Sequence, residues 1–184
     1  MAPSPRLALA AAAAALLAGG AAAQATCFDL FGSMCIQHSV DATAGSVTFN
    51  ATCTPYLFAN PGWCAFGLSL SGSNSMGNAE VFFIAHLTNG TVSVEDRFNP
   101  KGHESPICVL AVSQVISSAV LPNGALTAVW TRKLSASGQG VAPIAPGQSF
   151  HAIAAWGSEK NRQAAPCARG WPEHSHTGDA TLKF

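Results

Sequence analysis

Charged side chains are scarce in this sequence, where nine Lys and Arg balance nine Asp and Glu and together make up 10% of the residues. A chain so nearly neutral lacks the basic stripe that a polyanion-binding surface needs, so no nucleic-acid partner is expected. Several catalytic and metal signatures are also missing. No Cys-x-x-Cys pair offers a zinc site, and no Cys-x-x-Cys-His could attach a haem covalently. No Gly-x-Ser-x-Gly elbow supports a hydrolase. The adjacent acids Glu95 and Asp96 would point to opposite faces of a strand, which does not suit paired-carboxylate chemistry. Beyond residue 23 no run of 18 apolar residues occurs, so no later transmembrane segment is expected, and the end at Phe184 carries no lipid-anchor pattern.

The first 25 residues read as a signal peptide: a start carrying Arg6, an Ala- and Leu-rich apolar run over 7–23, and small residues suited to cleavage near 23–25. The expectation is a secreted, extracellular protein of the apoplast or cell wall, with one soluble domain over 26–184. About 160 residues suffice for a single core and are too few for two ordinary domains. All six cysteines, Cys27, Cys35, Cys53, Cys64, Cys108 and Cys167, lie beyond the leader. An even number in an oxidising compartment implies three disulfides, with fifteen pairings open. Sequons at Asn50 and Asn89 agree with passage through a glycosylating route.

The rest is cut into short β-branched and aromatic runs by Gly, Pro, Asn and Ser clusters, which is strand punctuation. Strands are predicted over 46–53, 63–70, 79–87, 91–98, 107–112, 114–121, 125–134, 150–156 and 179–184. Asn89-Gly90 and Asn123-Gly124 each join two apolar runs and predict antiparallel hairpins, because glycine supplies the positive φ a tight turn needs. In 91–95, Val92 and Val94 should face inward while Thr91, Ser93 and Glu95 meet solvent. The continuous apolar run 81–85 suits a strand covered on both faces or one lining an apolar ligand pocket. Together these predict an all-β, immunoglobulin-like antiparallel sandwich of about nine strands, with the long irregular stretches 135–149 and 158–177 at its ends.

Five pieces appear in a particular order: Trp63-Cys-Ala-Phe-Gly-Leu-Ser69, Met76-Gly-Asn-Ala-Glu-Val81, the Arg132 strand, Ala155-Trp-Gly157, and His174-Ser-His-Thr-Gly178. In this order they resemble the DOMON domain over 49–184. The chain is similar to the cytochrome-type members found in extracellular flavocytochromes and ascorbate-linked redox proteins. The resemblance implies a non-covalent haem b held between a methionine and a late histidine. Carried onto this chain, the methionine is Met76; Met34, between two cysteines near the new N-terminus, fits the motif less well. The family spacing, four residues before the glycine, selects His174, with His176 as the alternative. A His-x-His pair could also bind zinc or copper, but two ligands do not complete such a site.

Phe66, Leu68, Val81, Phe83, Ile153 and Trp156 are candidate walls of the haem pocket, or ordinary core. Arg132 would meet a haem propionate or stand in solvent. One thioether and one imidazole fill both axial positions of the iron, which leaves electron transfer rather than substrate turnover. The expectation is therefore an electron-transfer protein without a catalytic centre of its own. Its partners would be ascorbate, a similar small reductant, or another redox protein. Two other functions compete: a non-redox DOMON module binding sugars or other small ligands, and a wall-associated or adhesive structural protein.

Overall fold

The computed structural model describes residues 25–28, 33–54, 61–73, 77–101, 107–109, 113–141, 143–158, 160, 162–167, 174 and 176–184, with only the backbone of His176. Residues 1–24 of the expected leader over 1–25, and Met76, lie outside the described residues. Eleven strands run in chain order: β1 (Thr26–Cys27), β2 (Met34–Asp41), β3 (Ser46–Cys53), β4 (Pro61–Ser69), β5 (Ala79–His86), β6 (Val92–Asn99), β7 (Ile107–Cys108), β8 (Ser113–Val120), β9 (Leu126–Lys133), β10 (Ser149–Ser158) and β11 (His176–Lys183). They form two antiparallel sheets, β1-β2-β3-β9-β8 and β11-β10-β4-β5-β6-β7. The β-sandwich is as expected; the strand count exceeds nine because β1 and β2 add to the nine predicted strands. In β2, Met34 and Ile36 are buried, but His38 takes the next inward position and hides the two-residue period.

Between the sheets lies the main apolar cluster. Phe49 of β3, Phe66 of β4, Phe82 of β5 and Trp130 of β9 pack with ring centroids 4.9–5.8 Å apart. All four are completely buried, and aromatic groups at these separations add offset and tilted ring contacts to the area they bury. Across the same interior Arg132 of β9 donates through Nε and Nη2 to the two carboxylate oxygens of Glu80 on β5, at 3.0 and 2.8 Å. Arg132 is 1% exposed and Glu80 is fully buried. This corrects both readings of Arg132. It is neither solvated nor directed at an outside carboxylate, because a fully buried acid from the opposite sheet occupies its fork.

Three disulfides join Cys27 to Cys35, Cys53 to Cys64 and Cys108 to Cys167. The first closes β1 onto β2, the second ties the end of β3 to β4 in the opposite sheet, and the third ties β7 to the segment after β10. The 59-residue separation of the third makes it the largest constraint on the unfolded chain, worth about 4 kcal/mol in the chain-entropy account.

Both Asn-Gly turns make the expected hairpins, β5–β6 and β8–β9. Gly90 and Gly124 have φ of 86° and 82°, while neither asparagine has positive φ. Each is thus a three-residue loop ending in a left-handed glycine, with the asparagine side chain accepting from the backbone two residues on. Val92 and Val94 pack on the interior cluster as expected. Glu95 does not meet solvent: it is 5% exposed, and its carboxylate accepts from Arg97 on the same face of β6.

Gly178 of β11 has a packing reason. A Cβ there would overlap the carbonyl oxygen of Phe28, whose side chain plugs the core beside β1. Gly178→Ala should therefore loosen the N-terminal segment and cost about 1–3 kcal/mol, read by urea unfolding. An unchanged midpoint would show that this approach does not matter to the fold.

Candidate ligand-binding face

Period-two geometry sorts the motif residues of the six-stranded sheet onto its two faces. On β4, Cys64, Phe66 and Leu68 point into the sandwich, and Trp63, Ala65 and Gly67 point out. On β10, Ala152 and Ala154 point in, with Trp156 packed against the same interior cluster, and Ile153 and Ala155 point out. On β5, Phe82 and Ile84 point in, and Val81, Phe83 and Ala85 point out. The candidate pocket walls therefore divide. Val81, Phe83 and Ile153 share the outer face, while Leu68 and Trp156 belong to the sandwich interior; Phe66 packs its ring in the interior and still borders the outer-face hollow.

The outer face carries a second apolar cluster, separate from the core, of Trp63, Ala65, Ala79, Val81, Phe83, Ala85, Leu87, Ile153 and Ala155. At its centre the side chains are small. A Cβ added to Gly67 would lie 3.2 Å from Ile153 Cγ1, 3.3 Å from the Glu80 carbonyl oxygen and 3.4 Å from Val81 Cγ2. The missing side chain leaves a shallow hollow of about 10 Å³, bordered by residues 65–67 of β4, Val81 of β5 and residues 153–155 of β10, with Asn99 of β6 as the one polar side chain. This is far below the ~300–1,000 Å³ of typical small-molecule pockets, so the hollow is a dimple in a covered apolar face rather than a preformed cavity.

A polar border runs along β6. The Arg97 guanidinium sits 4.7 Å over the Phe83 ring, and Phe83 stacks on Trp63 with centroids 5.0 Å apart. Arg97 also donates to Glu95 at 2.6 Å and to Gln163 Oε1 at 3.1 Å. Gln163 is bound in turn to the β5–β6 turn, where its carbonyl accepts from Thr88 N at 2.9 Å. With the Cys108–Cys167 bridge, these contacts fasten the segment after β10 along this side of the outer face. Glu95, Cys108 and Cys167 converge closely, but the sulfurs are bonded to each other and offer no thiolate to a metal.

The register fixes where the ligand-bearing segments reach this face. The β4–β5 hairpin continues past Ser69↔Ala79 through a bond from Leu70 N to the Asn78 carbonyl, so Met76 follows from that end of the sheet. His176 pairs with Trp156, which pairs with Cys64, at the other end. Cys64 and Ser69 are five residues apart on β4, about 16 Å. The hollow lies between these levels. His174 is half-buried.

The order of the strands, the Trp63-x-Ala65-x-Gly67 outer strip and the Ala155-Trp-Gly157 strand agree with a match of the DOMON domain family to residues 32–157. The chain belongs to the DOMON family. The match spans β2 to β10 of this DOMON domain, beginning earlier than the resemblance over 49–184 and stopping short of β11, so His174 and His176 lie beyond it. No curated protein matches the chain.

What sequence reasoning missed is Gly67 as a cradle, and Asn99, Arg97 and Gln163 as the polar border. Gly67 stood in a quoted motif, and its role follows once the face is known. Asn99 and Arg97 alternate with inward residues at the end of β6, a signal available from the Val92/Val94 period. Gln163 lies in an irregular segment with no local signature.

Proposed function

We infer that this DOMON protein binds b-type haem non-covalently on the outer face of its six-stranded sheet and passes single electrons to and from extracellular partners. The observation that carries the inference is the placement of the hollow. An apolar floor of Ala65, Gly67 and Ala155, free of side chains larger than a methyl group, lies between the sheet end that leads to Met76 and the end that leads to His174 and His176. Gly67 leaves the hollow and Val81 and Ile153 border it, an apolar patch against which one edge of a flat ring could rest.

When bound, haem supplies reversible one-electron chemistry at iron. The chain's own residues determine its character. The Met76 thioether and the His174 or His176 imidazole are the side chains that would hold the iron, and together they would leave no position for dioxygen or substrates. The thioether favours the ferrous state relative to a second imidazole, and the apolar floor disfavours the extra positive charge of the ferric state. Phe66, Leu68 and Trp156 act through the core by keeping β4 and β10 in place.

Secretion accords with this function. Three disulfides suit an oxidising compartment, and no helix among the described residues is long and apolar enough to cross a membrane. Asn50 and Asn89 are both exposed, as N-glycan acceptors must be. The reductant is ascorbate, a similar small molecule or a redox protein.

The test is haemin titration of the secreted chain and of Ala155→Phe, which places a ring on the floor while leaving the interior face untouched. Haemin binding should fall at least ~100-fold in the variant, with folding retained as judged by far-ultraviolet circular dichroism. Unchanged binding would remove the outer face as the site.

A further inference from the structure

The two sheets end in four edge strands, and three of them are blunted. β1 and β7 are two residues long each, and β11 carries Asp179 and Lys183, charges of the kind that keep a sheet edge from pairing with another chain. β8 is the exception. Its eight residues, Ser113–Val120, include no charged side chain and no proline, and among the described residues they pair only with β9. Alternate residues of such a strand direct N–H and C=O away from the sheet, where a further strand can bond them.

Val115, Ile116 and Val120 are exposed along this edge, with Leu121 just beyond it, at 38–55%. The bulge between Val115 and Ser117 leaves Ile116 without a partner on β9, and Ile116 is the most exposed of the four. The order of the residues indicates what covers them. Val115-Ile-Ser-Ser-Ala-Val-Leu121 reads nearly alike from either end, with two large apolar residues, three small ones and two large apolar ones. Laid antiparallel on a second copy about a two-fold axis at Ser118, it sets Ile116 opposite Val120 and Val115 opposite Leu121, with small residues in the middle. A neutral strand also meets itself without opposing like charges.

We propose that β8 is the contact of an isologous dimer of this chain, in which the five-stranded sheets of two copies join edge to edge. The two-fold arrangement uses the same strand of both copies and so closes at two. A strand pair of this length buries less than the ~1,200 Å² at which standard interfaces begin, so the dimer is weak, half-formed at a concentration on the order of 10 µM. Haem has no part in the contact, and the dimer stands or falls separately from the haem reading.

Sedimentation velocity of the secreted chain from about 1 to 300 µM should show a rise from one copy to two. Ile116→Lys and Val120→Glu should each remain monomeric over that range, because a charge on an edge strand opposes pairing. Their urea midpoints should stay close to that of wild type, since both positions are exposed. Mixed in equal amounts, the two variants should dimerise again, because the register sets the introduced ammonium of one copy opposite the introduced carboxylate of the other. Wild type that stays monomeric throughout would overturn the proposal and leave the edge to a strand of a different protein. A dimer that survives Ile116→Lys would overturn it by placing the contact elsewhere. Variants that stay apart when mixed would overturn the pairing about Ser118.

Discussion

Arg132→Leu should destabilise the protein by about 3–5 kcal/mol, the largest loss expected from any single side chain outside the aromatic core. The substitution leaves the Glu80 carboxylate fully buried between the sheets after its two bonds from Arg132 are removed. Leucine supplies apolar contact and no donor, so the acid must either stay charged without its fork or take up a proton to fold. Replacing both partners, Glu80→Leu with Arg132→Met, should recover most of the loss, because a buried ion pair repays little more than its own desolvation. A double-mutant cycle in urea would measure this coupling. Additive losses would mean that the two side chains act independently, contrary to the geometry. Neither change touches the outer face, so haemin affinity measured well below the unfolding transition should be unaltered.

Met76→Ala is expected to have the largest functional effect. Met76 is one of the two side chains that would hold the iron, so without its thioether a low-spin haem spectrum should give way to a high-spin one. Haemin affinity should fall by at least ~100-fold, since changes one shell further out already cost 10- to 100-fold in metal sites. Stability of the haem-free chain should not change. Met76→His tests the role of sulfur separately: two imidazoles keep the iron low-spin but lower its reduction potential. His174→Ala and His176→Ala complete the set, and only one should reproduce the spectral loss. An unaltered spectrum in Met76→Ala would exclude that sulfur as a ligand.

Local chemistry made much of this architecture legible. The strand over 46–53 is found as predicted because Val47, Phe49 and Ala51 alternate with polar residues under a single covered face. The two Asn-Gly turns carry their own geometry. The central strands were harder to interpret. All nine positions of β4 and all eight of β5 are buried, so hydropathy alone could not tell the sandwich side of Trp63-Cys-Ala-Phe-Gly from the outer side.

That is why Phe66, Leu68 and Trp156 were grouped with Val81, Phe83 and Ile153. Separating them requires long-range facts: the Cys53–Cys64 bridge and the Glu80–Arg132 pair identify the face turned toward the opposite sheet. Arg132 on an apolar strand looked solvated for a related reason, since its partner is 52 residues away. Cysteine pairing was equally out of reach, because spacing does not choose among fifteen connectivities. The smallness of Ala65, Gly67 and Ala155 was visible in the motifs, but its meaning depended on their sharing the outer, covered face of the six-stranded sheet.

The most direct measurement is the absorption spectrum of the intact secreted chain, produced with haem available and examined in both oxidation states. A sharp Soret band and a resolved α band on reduction, together with a thioether charge-transfer band in the ferric form, are the expected result. A protein that is colourless as purified and stays unchanged on adding haemin would contradict the account at its centre.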